Sequence, residues 1–461
     1  MPKTKVLLFL SLFVSTVSFG QTKQDKKTII AIDDLISKRL DKISPGCAIL
    51  ISRKGEIFYQ KAFGTADLEL NVPTQPNMVF RIGSITKQFT AVAILQLVEQ
   101  GKISLTDSLQ HFINGFPPKG HRITIENLLT QTSGITDYLN LETNLPNPFR
   151  IDFSTKAIID SLKSLPLEFV PNTKFAYSNS NYFLLGYIIE QVTGKSYQDY
   201  LKENLFIPLG MANTYYESPG EIISNRVSGY EKKDNTYRNS DFISMSLFYS
   251  AGALMANVED LFRWNEALKS NKLIKKETLG KAFTPFKLSD GRFSEYGYGW
   301  FLRNIEGSPT IEHGGSVFGF RAEEIYLPKE DIFITGLFNC RQLNNDEQEL
   351  CYDIAKIMLG RPLLRDIKLS DVTLDKYVGV YKYIGVDTSI NTTVKIYKEI
   401  GRLYVDLSNG TGSHMALLPQ SETKFILAIR TPTVVDFSIE NGKVTSSIWT
   451  QKEKSEFKKI E

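Results

Sequence analysis

Cysteine and histidine are both scarce in this chain. Its 461 residues include three cysteines, Cys47, Cys340 and Cys351, and four widely separated histidines, His111, His121, His313 and His414. So few cysteines exclude a disulfide scaffold. The chain has no H-E-x-x-H and no Cys-x-x-Cys, so the common zinc hydrolase and zinc-finger patterns are excluded and no metal site is expected. No cysteine has a histidine beside it in sequence, and all three are expected to be buried or free thiols rather than nucleophiles. An excess of one charge is missing too. Lys plus Arg number 54 against 51 Asp plus Glu, a net charge of +3 that gives no reason to expect a nucleic-acid partner. The chain also lacks a G-x-S-x-G nucleophile elbow, which argues against a conventional Ser-His-Asp hydrolase. Beyond residue 20 no run is apolar enough to span a bilayer.

What is present begins with a leader. MPKTKVLLFLSLFVSTVSFG has a basic start at Lys3 and Lys5, an apolar stretch from Val6 to Val14 broken only by Ser11, and small residues at Ser18 and Gly20. This pattern is expected of a secretory signal peptide over residues 1–20, with Gln21 the mature N-terminus. The apolar stretch is shorter than the ~20 residues of a membrane span. A secreted or periplasmic protein follows, with no transmembrane segment once the signal is removed.

Along the rest of the chain the periodicity changes twice. Residues 28–43 have Ile29, Ile32, Ile36, Leu40 and Ile43 on one side, as in an amphipathic helix. GCAILISR and EIFYQKAFG read as two strands joined at Lys54-Gly55. Ser84 to Glu99 is rich in helix formers. Helical patterns recur at 180–192, 196–206 and 258–269. The runs YGYGWFLR, PTIEH, FRAEEIYL and IFITGLF between 296 and 339 are strand-like, and 346–359 closes as a helix. The expected fold is α+β: strands from both ends share one antiparallel sheet and the middle forms a helical lobe. After Pro362 the texture becomes short alternating strands with turns at Glu399-Ile400-Gly401, Asn409-Gly410 and Asn441-Gly442. Residues 365–461 are expected to form a separate small barrel or sandwich.

The sharpest chemical signal is Ser84-Ile85-Thr86-Lys87. Positions i and i+3 share a helix face, so a hydroxyl and an amine can meet there. A helix N-terminus supplies free N–H groups and a positive field. That field and burial depress a lysine pKa, and a neutral amine can activate a serine that is otherwise inert. By itself S-x-x-K is a weak signal that reads first as an N-cap serine with an exposed lysine three residues on. Two further elements join it. Tyr177-Ser178-Asn179 precedes a helix and offers a phenol to relay a proton and an amide to hold the lysine. His313-Gly314-Gly315-Ser316 lies between strand-like runs. Its glycines would let a substrate backbone lie close against a strand edge, and the N–H of Ser316 could complete an oxyanion hole with that of Ser84.

In order and spacing these three elements resemble the serine β-lactamase and penicillin-binding-protein superfamily, and within it the class C β-lactamase-related group of esterases, D-aminopeptidases and D-alanyl-D-alanine carboxypeptidases. Asn127-Leu128-Leu129-Thr130-Gln131-Thr132-Ser133-Gly134-Ile135, Ala251-Gly252-Ala253-Leu254 and Tyr296-Gly297-Tyr298-Gly299-Trp300 carry the same likeness, which covers residues 28–360 within a hydrolase domain taken as 21–362. The resemblance implies Ser84 as acylated nucleophile, with Lys87 and Tyr177 sharing the acid and base duties. It implies Asn179, His313, Gly314, Gly315 and Ser316 as substrate-binding residues. No cofactor is implied, and the partner is a small-molecule ester, amide or D-amino-acid peptide. The alternatives are a D,D-carboxypeptidase or D-aminopeptidase acting on cell-wall peptides, and a penicillin-binding sensor that acylates without turnover. His313 stands where antibiotic-hydrolysing members carry a charged lysine, so a substrate carboxylate loses its anchor there unless Arg321 faces the cleft. A second likeness, Leu374-Asp375-Lys376-Tyr377-Val378-Gly379-Val380-Tyr381, is to the opening of lipocalin-like domains appended to this group.

Overall fold

A computed structural model describes residues 22–40, 44–141, 145, 147–233, 236–341, 346–363, 367–384, 393–399, 401–407, 415–427, 433–450 and 454–461. The expected leader, the Asn409-Gly410 turn and His414 lie outside the described residues. Among those described, no helix is long and apolar enough to cross a membrane.

The chain opens with helix α1, Lys23–Arg39. It starts ahead of the expected Thr28 because Thr22 and Asp25 form a reciprocal capping box. Strands β1, Cys47–Arg53, and β2, Glu56–Phe63, follow as a hairpin. Helix α2, Thr86–Glu99, is apolar on nearly every side and almost wholly buried, as a central helix must be. Helix α3 is Asn179–Thr193 and α4 is Val258–Lys269, capped by the Asn257 side chain on the amide of Asp260. The chain then returns through β3, Phe301–Ile305, β4, Ser308–Val317, β5, Phe320–Leu327, and β6, Ile332–Phe338, to helix α5, Asp346–Met358.

The sheet order is β3-β4-β5-β6-β1-β2, and β6 pairs antiparallel with β1 from Cys47↔Phe338 to Arg53↔Ile332. The two ends of this segment therefore share one sheet, as the α+β reading requires. Both faces of that sheet are covered. Ala48 and Leu50 join the core that includes α2, α3 and α4, while Cys47, Ile49 and Ile51 pack with α1 and α5. This is why β1 reads as a continuous apolar run rather than an alternating one. Cys47, Cys340 and Cys351 are all buried and free, and burial pushes the thiols of Cys47 and Cys340 up to about 12.

Two local expectations change. YGYGWFLR becomes strand only from Phe301, because Gly299 has φ +94° and its backbone lies against α2, where an added Cβ would sit 3.1 Å from the Lys87 carbonyl oxygen. The glycine pair after His313 does not break a strand: β4 runs on to Val317 and turns at Phe318-Gly319.

Past α5 an eight-stranded antiparallel barrel runs from Gly379–Tyr383 to Lys454–Lys459 and closes on itself, the first strand pairing with the last. Its interior is packed: Tyr377, Tyr381, Phe425 and Phe437 form one aromatic cluster, and the Tyr381 hydroxyl donates to the Tyr377 carbonyl at 2.7 Å. Leu374, Tyr377 and Tyr381, which mark the opening motif, are thus core residues.

Candidate active site

The site forms where α2 begins beneath the end of β4. The strand β3 stops pairing at Phe301↔Glu312, so His313–Val317 pairs only with β5 and presents its other edge to the turn Gly83–Ile85. The approach is close. A Cβ on Gly315 would stand 1.9 Å from the Ile82 carbonyl oxygen and 3.3 Å from the Ser84 amide; one on Gly83, where φ is +50°, would stand 2.8 Å from the Ser316 amide. Only glycine fits at both places. The Ser84 and Ser316 amides are brought together by this contact.

Ser84 lies in a tight 3-10 turn rather than in α2 proper, which starts at Thr86. Lys87, one residue into α2, is wholly buried, and its Nζ donates to Ser84 Oγ at 3.1 Å, Asn179 Oδ1 at 2.9 Å and the Ala251 carbonyl at 2.8 Å. Burial lowers its pKa to about 7, against a smaller opposing pull from the Asp137 carboxylate. Lys87 Nζ stands 4.8 Å from the centre of the Tyr177 ring. Burial pushes the Tyr177 phenol well up, with the nearby Ser84 hydroxyl pulling the other way. The resting arrangement is therefore a neutral phenol and an amine balanced between its two forms.

The Tyr177–Asn179 turn is held from below by the segment 127–135. The Ala176 amide donates to the Gln131 carbonyl at 3.0 Å, and Gln131 Oε1 accepts from the Ser178 amide at 3.1 Å and Asn181 Nδ2 at 2.6 Å. Asn179 Oδ1 faces Lys87, and its Nδ2 donates to Asp137 Oδ2 at 2.9 Å. Asp137 was not singled out by sequence reasoning. The signal was there, since it follows Ser133-Gly134-Ile135 and N-caps the turn Tyr138–Asn140, but nothing local links it to a lysine fifty residues earlier.

His313 lies on the same face of the sheet but is 2% exposed, with both ring nitrogens engaged. Nδ1–H donates to the Gly314 carbonyl at 2.7 Å, so Nε2 accepts from the Tyr296 hydroxyl at 3.1 Å. Burial first, then the nearby Lys87 charge, lowers its pKa to about 3, so the ring is neutral. Arg321 does not supply the missing charge. It shares its face of β5 with Glu323 and Ile325, and its electrostatic partners are Glu347 and Glu323 on the α5 side. Gly314 lies against that face too, where an added Cβ would meet Glu323 Oε2 at 2.6 Å. Among the described residues no group of His, Cys, Asp or Glu could hold a metal.

The family model described as Beta-lactamase matches residues 32–358. The chain is 28% identical over 402 residues to penicillin-binding protein 4* of Bacillus subtilis, covering 82% of this chain and 87% of that protein. It is 31% identical over 320 residues to protein flp of Staphylococcus aureus, covering 67% of this chain and 62% of that protein. Among solved structures, the octameric penicillin-binding protein homologue from Pyrococcus abyssi matches with a TM-score of 0.65 at 24% identity, over 94% of this chain and 99% of its own. The D-amino acid amidase from Ochrobactrum anthropi SV3 matches with a TM-score of 0.63 at 21% identity, over 73% and 99%. At those identities the two structures share the fold with this chain.

Proposed function

The chain belongs to the beta-lactamase family, within the serine β-lactamase and penicillin-binding-protein superfamily, and on that footing we propose that it is an exported serine hydrolase that cleaves an ester or amide through an acyl-enzyme on Ser84. The observation that carries the reading is Lys87: a buried amine with its pKa lowered to about 7, hydrogen-bonded to a serine hydroxyl at 3.1 Å.

In this reading Ser84 Oγ attacks the substrate carbonyl as its proton passes to neutral Lys87 Nζ. The Ser84 and Ser316 amides hold the resulting oxyanion, each contributing a few kcal/mol. The proton moves on through Tyr177 to the leaving alcohol or amine, the carbon–heteroatom bond breaks, and the acyl group stays on Ser84. Water then attacks the ester with the proton path run in reverse, and the acid is released. Asn179 keeps the lysine in register, and His313 supports β4 from within rather than touching substrate. Tyr177 and Lys87 form a coupled pair, so the pH dependence of the reaction belongs to both. Residues 21–362 would carry this chemistry and 365–461 would be an appended domain.

Within the family's range of substrates, the neutral His313 and the averted Arg321 favour neutral esters and amides over substrates held by a free carboxylate. That weighs against a D,D-carboxypeptidase or an efficient β-lactamase. A D-amino-acid amide or D-aminopeptidase substrate remains the second reading, since it needs no such anchor; the D-amino acid amidase neighbour shares the fold. The test is turnover of a chromogenic short-chain ester and of a D-amino-acid anilide by the full chain and its Ser84→Ala form. A pre-steady-state burst, lost in the variant, is expected. Substantial turnover by Ser84→Ala would overturn the proposal, and an adduct that forms but never turns over would make the protein a penicillin-binding sensor.

A further inference from the structure

Beside α2 lies a cavity of about 290 Å³ whose lining does not include Ser84, Lys87 or Tyr177. Five aromatic rings line it, those of Trp264, Phe283, Trp300, Tyr326 and Phe333, and one carboxyl group, that of Glu324. Glu324 is 3% exposed. Its Oε2 accepts from Gln88 Nε2 at 2.8 Å, and Gln88 Oε1 accepts in turn from Trp264 Nε1 at 2.9 Å. That chain fixes the carboxyl plane and leaves Oε1 without a hydrogen-bond partner. A buried carboxyl oxygen is normally satisfied. The cation that lines the same cavity, Lys269, is paired with other acids: its Nζ meets Glu266 at 2.9 Å and Asp331 at 2.5 Å and stands 5.7 Å from the centre of the Tyr326 ring, leaving Glu324 Oε1 unpaired. Burial pushes the Glu324 carboxyl up to about 8, so near neutrality the empty site holds mostly the uncharged acid, and an ammonium ion that binds there displaces its proton to solvent.

An acid set among aromatic rings is chemically selective. Ring faces carry negative potential and attract cations, while the unpartnered oxygen accepts a hydrogen bond. A neutral apolar molecule would fill the space and leave Oε1 unpaired. An anion would meet both the carboxyl and the rings. We propose that this cavity is a binding site for a small organic ammonium ion, whose N–H donates to Glu324 Oε1 while its hydrocarbon part packs on Trp264, Trp300 and Phe283. The site is distinct from the Ser84 cleft and does not depend on how that cleft is read.

The test titrates the full chain with benzylammonium and, separately, with benzyl alcohol, following heat by calorimetry and tryptophan emission, since Trp264 and Trp300 both line the cavity. Benzylammonium is expected to bind saturably and the alcohol at least about tenfold more weakly, the loss expected for one charge-assisted contact. Glu324→Gln should weaken the ammonium ion by a similar factor. Leu268→Trp, which fills the cavity while leaving Glu324 in place, should abolish binding, and Ser84→Ala should leave it unchanged. Circular dichroism of both cavity variants establishes that they are folded. Equal binding of amine and alcohol, unaltered binding by folded Leu268→Trp, or no saturable binding of benzylammonium to the natural chain would each overturn the site.

Discussion

An amine sealed away from water gives up its proton more readily, and at the scale of single residues that is the property on which the proposed chemistry turns. Lys87 is wholly buried and its pKa is lowered to about 7, so its neutral fraction rises as pH climbs through that value. Asp137 opposes the shift, because its negative charge favours the protonated amine. Asp137→Asn removes that charge, and the rising limb of kcat/KM for a neutral ester is expected to move to lower pH. A limb displaced upward would contradict this electrostatic assignment. His313 adds no titration of its own near neutrality, since its pKa is about 3. Ser84, Lys87, Tyr177 and Asn179 were all readable from sequence, because their hydroxyl, amine, phenol and amide types are rare in combination at helix starts. Asp137 and Glu324 were not. Asp137 matters through a hydrogen bond to Asn179 across 42 positions of chain. Glu324 stands next to Glu323 in a strand, so the two face opposite ways, and either would be taken for a solvent-facing residue. Their burial comes from helices on both faces of the sheet, which no local pattern states.

At the scale of elements, the contact between β4 and the Gly83–Ile85 turn fixes how the two amides of the proposed oxyanion hole lie. Gly315→Ala places a Cβ 1.9 Å from the Ile82 carbonyl oxygen, which is backbone and cannot swing aside. The strand must then retreat from Ser84. Loss of activity of ~100-fold or more is expected, as for removal of an oxyanion donor, together with a stability loss of about 1–3 kcal/mol from overpacking. Ester kinetics and urea unfolding of the variant measure the two effects; unchanged kcat would mean that the Ser316 amide has no part in the reaction. Strand and helix positions were broadly legible, and FRAEEIYL and IFITGLF match β5 and β6 residue for residue. The glycines were read as an interruption because their purpose, a close approach by a distant turn, is tertiary.

At the scale of the whole molecule the chain holds separate hydrophobic cores, and no residue of the barrel core belongs to the two cores that flank the six-stranded sheet. Phe437 packs on Tyr377, Tyr381 and Phe425. Phe437→Ala is therefore expected to destabilise the barrel by about 3–5 kcal/mol, seen as an earlier unfolding step in calorimetry, while ester turnover below that step is unchanged. A proportional fall in kcat at a temperature where the barrel is still folded would instead tie the barrel to the site. The change of texture after Pro362 was visible in the sequence as short alternating strands. A small barrel or sandwich is what that texture predicts, and the structure is the barrel; the pairing that closes it, first strand with last at Tyr381↔Lys459, is not stated by any local pattern.

The central claim, that a neutral Lys87 activates Ser84, is tested most directly by following acylation itself: quench the full chain with a chromogenic ester at a series of pH values, and measure by intact mass and peptide mapping how fast Ser84 gains the acyl group. An adduct on Ser84 is expected, its formation rate rising with pH and levelling off above an inflection near 7. An adduct on another residue, or a Ser84 rate that falls as pH rises through that range, would contradict it.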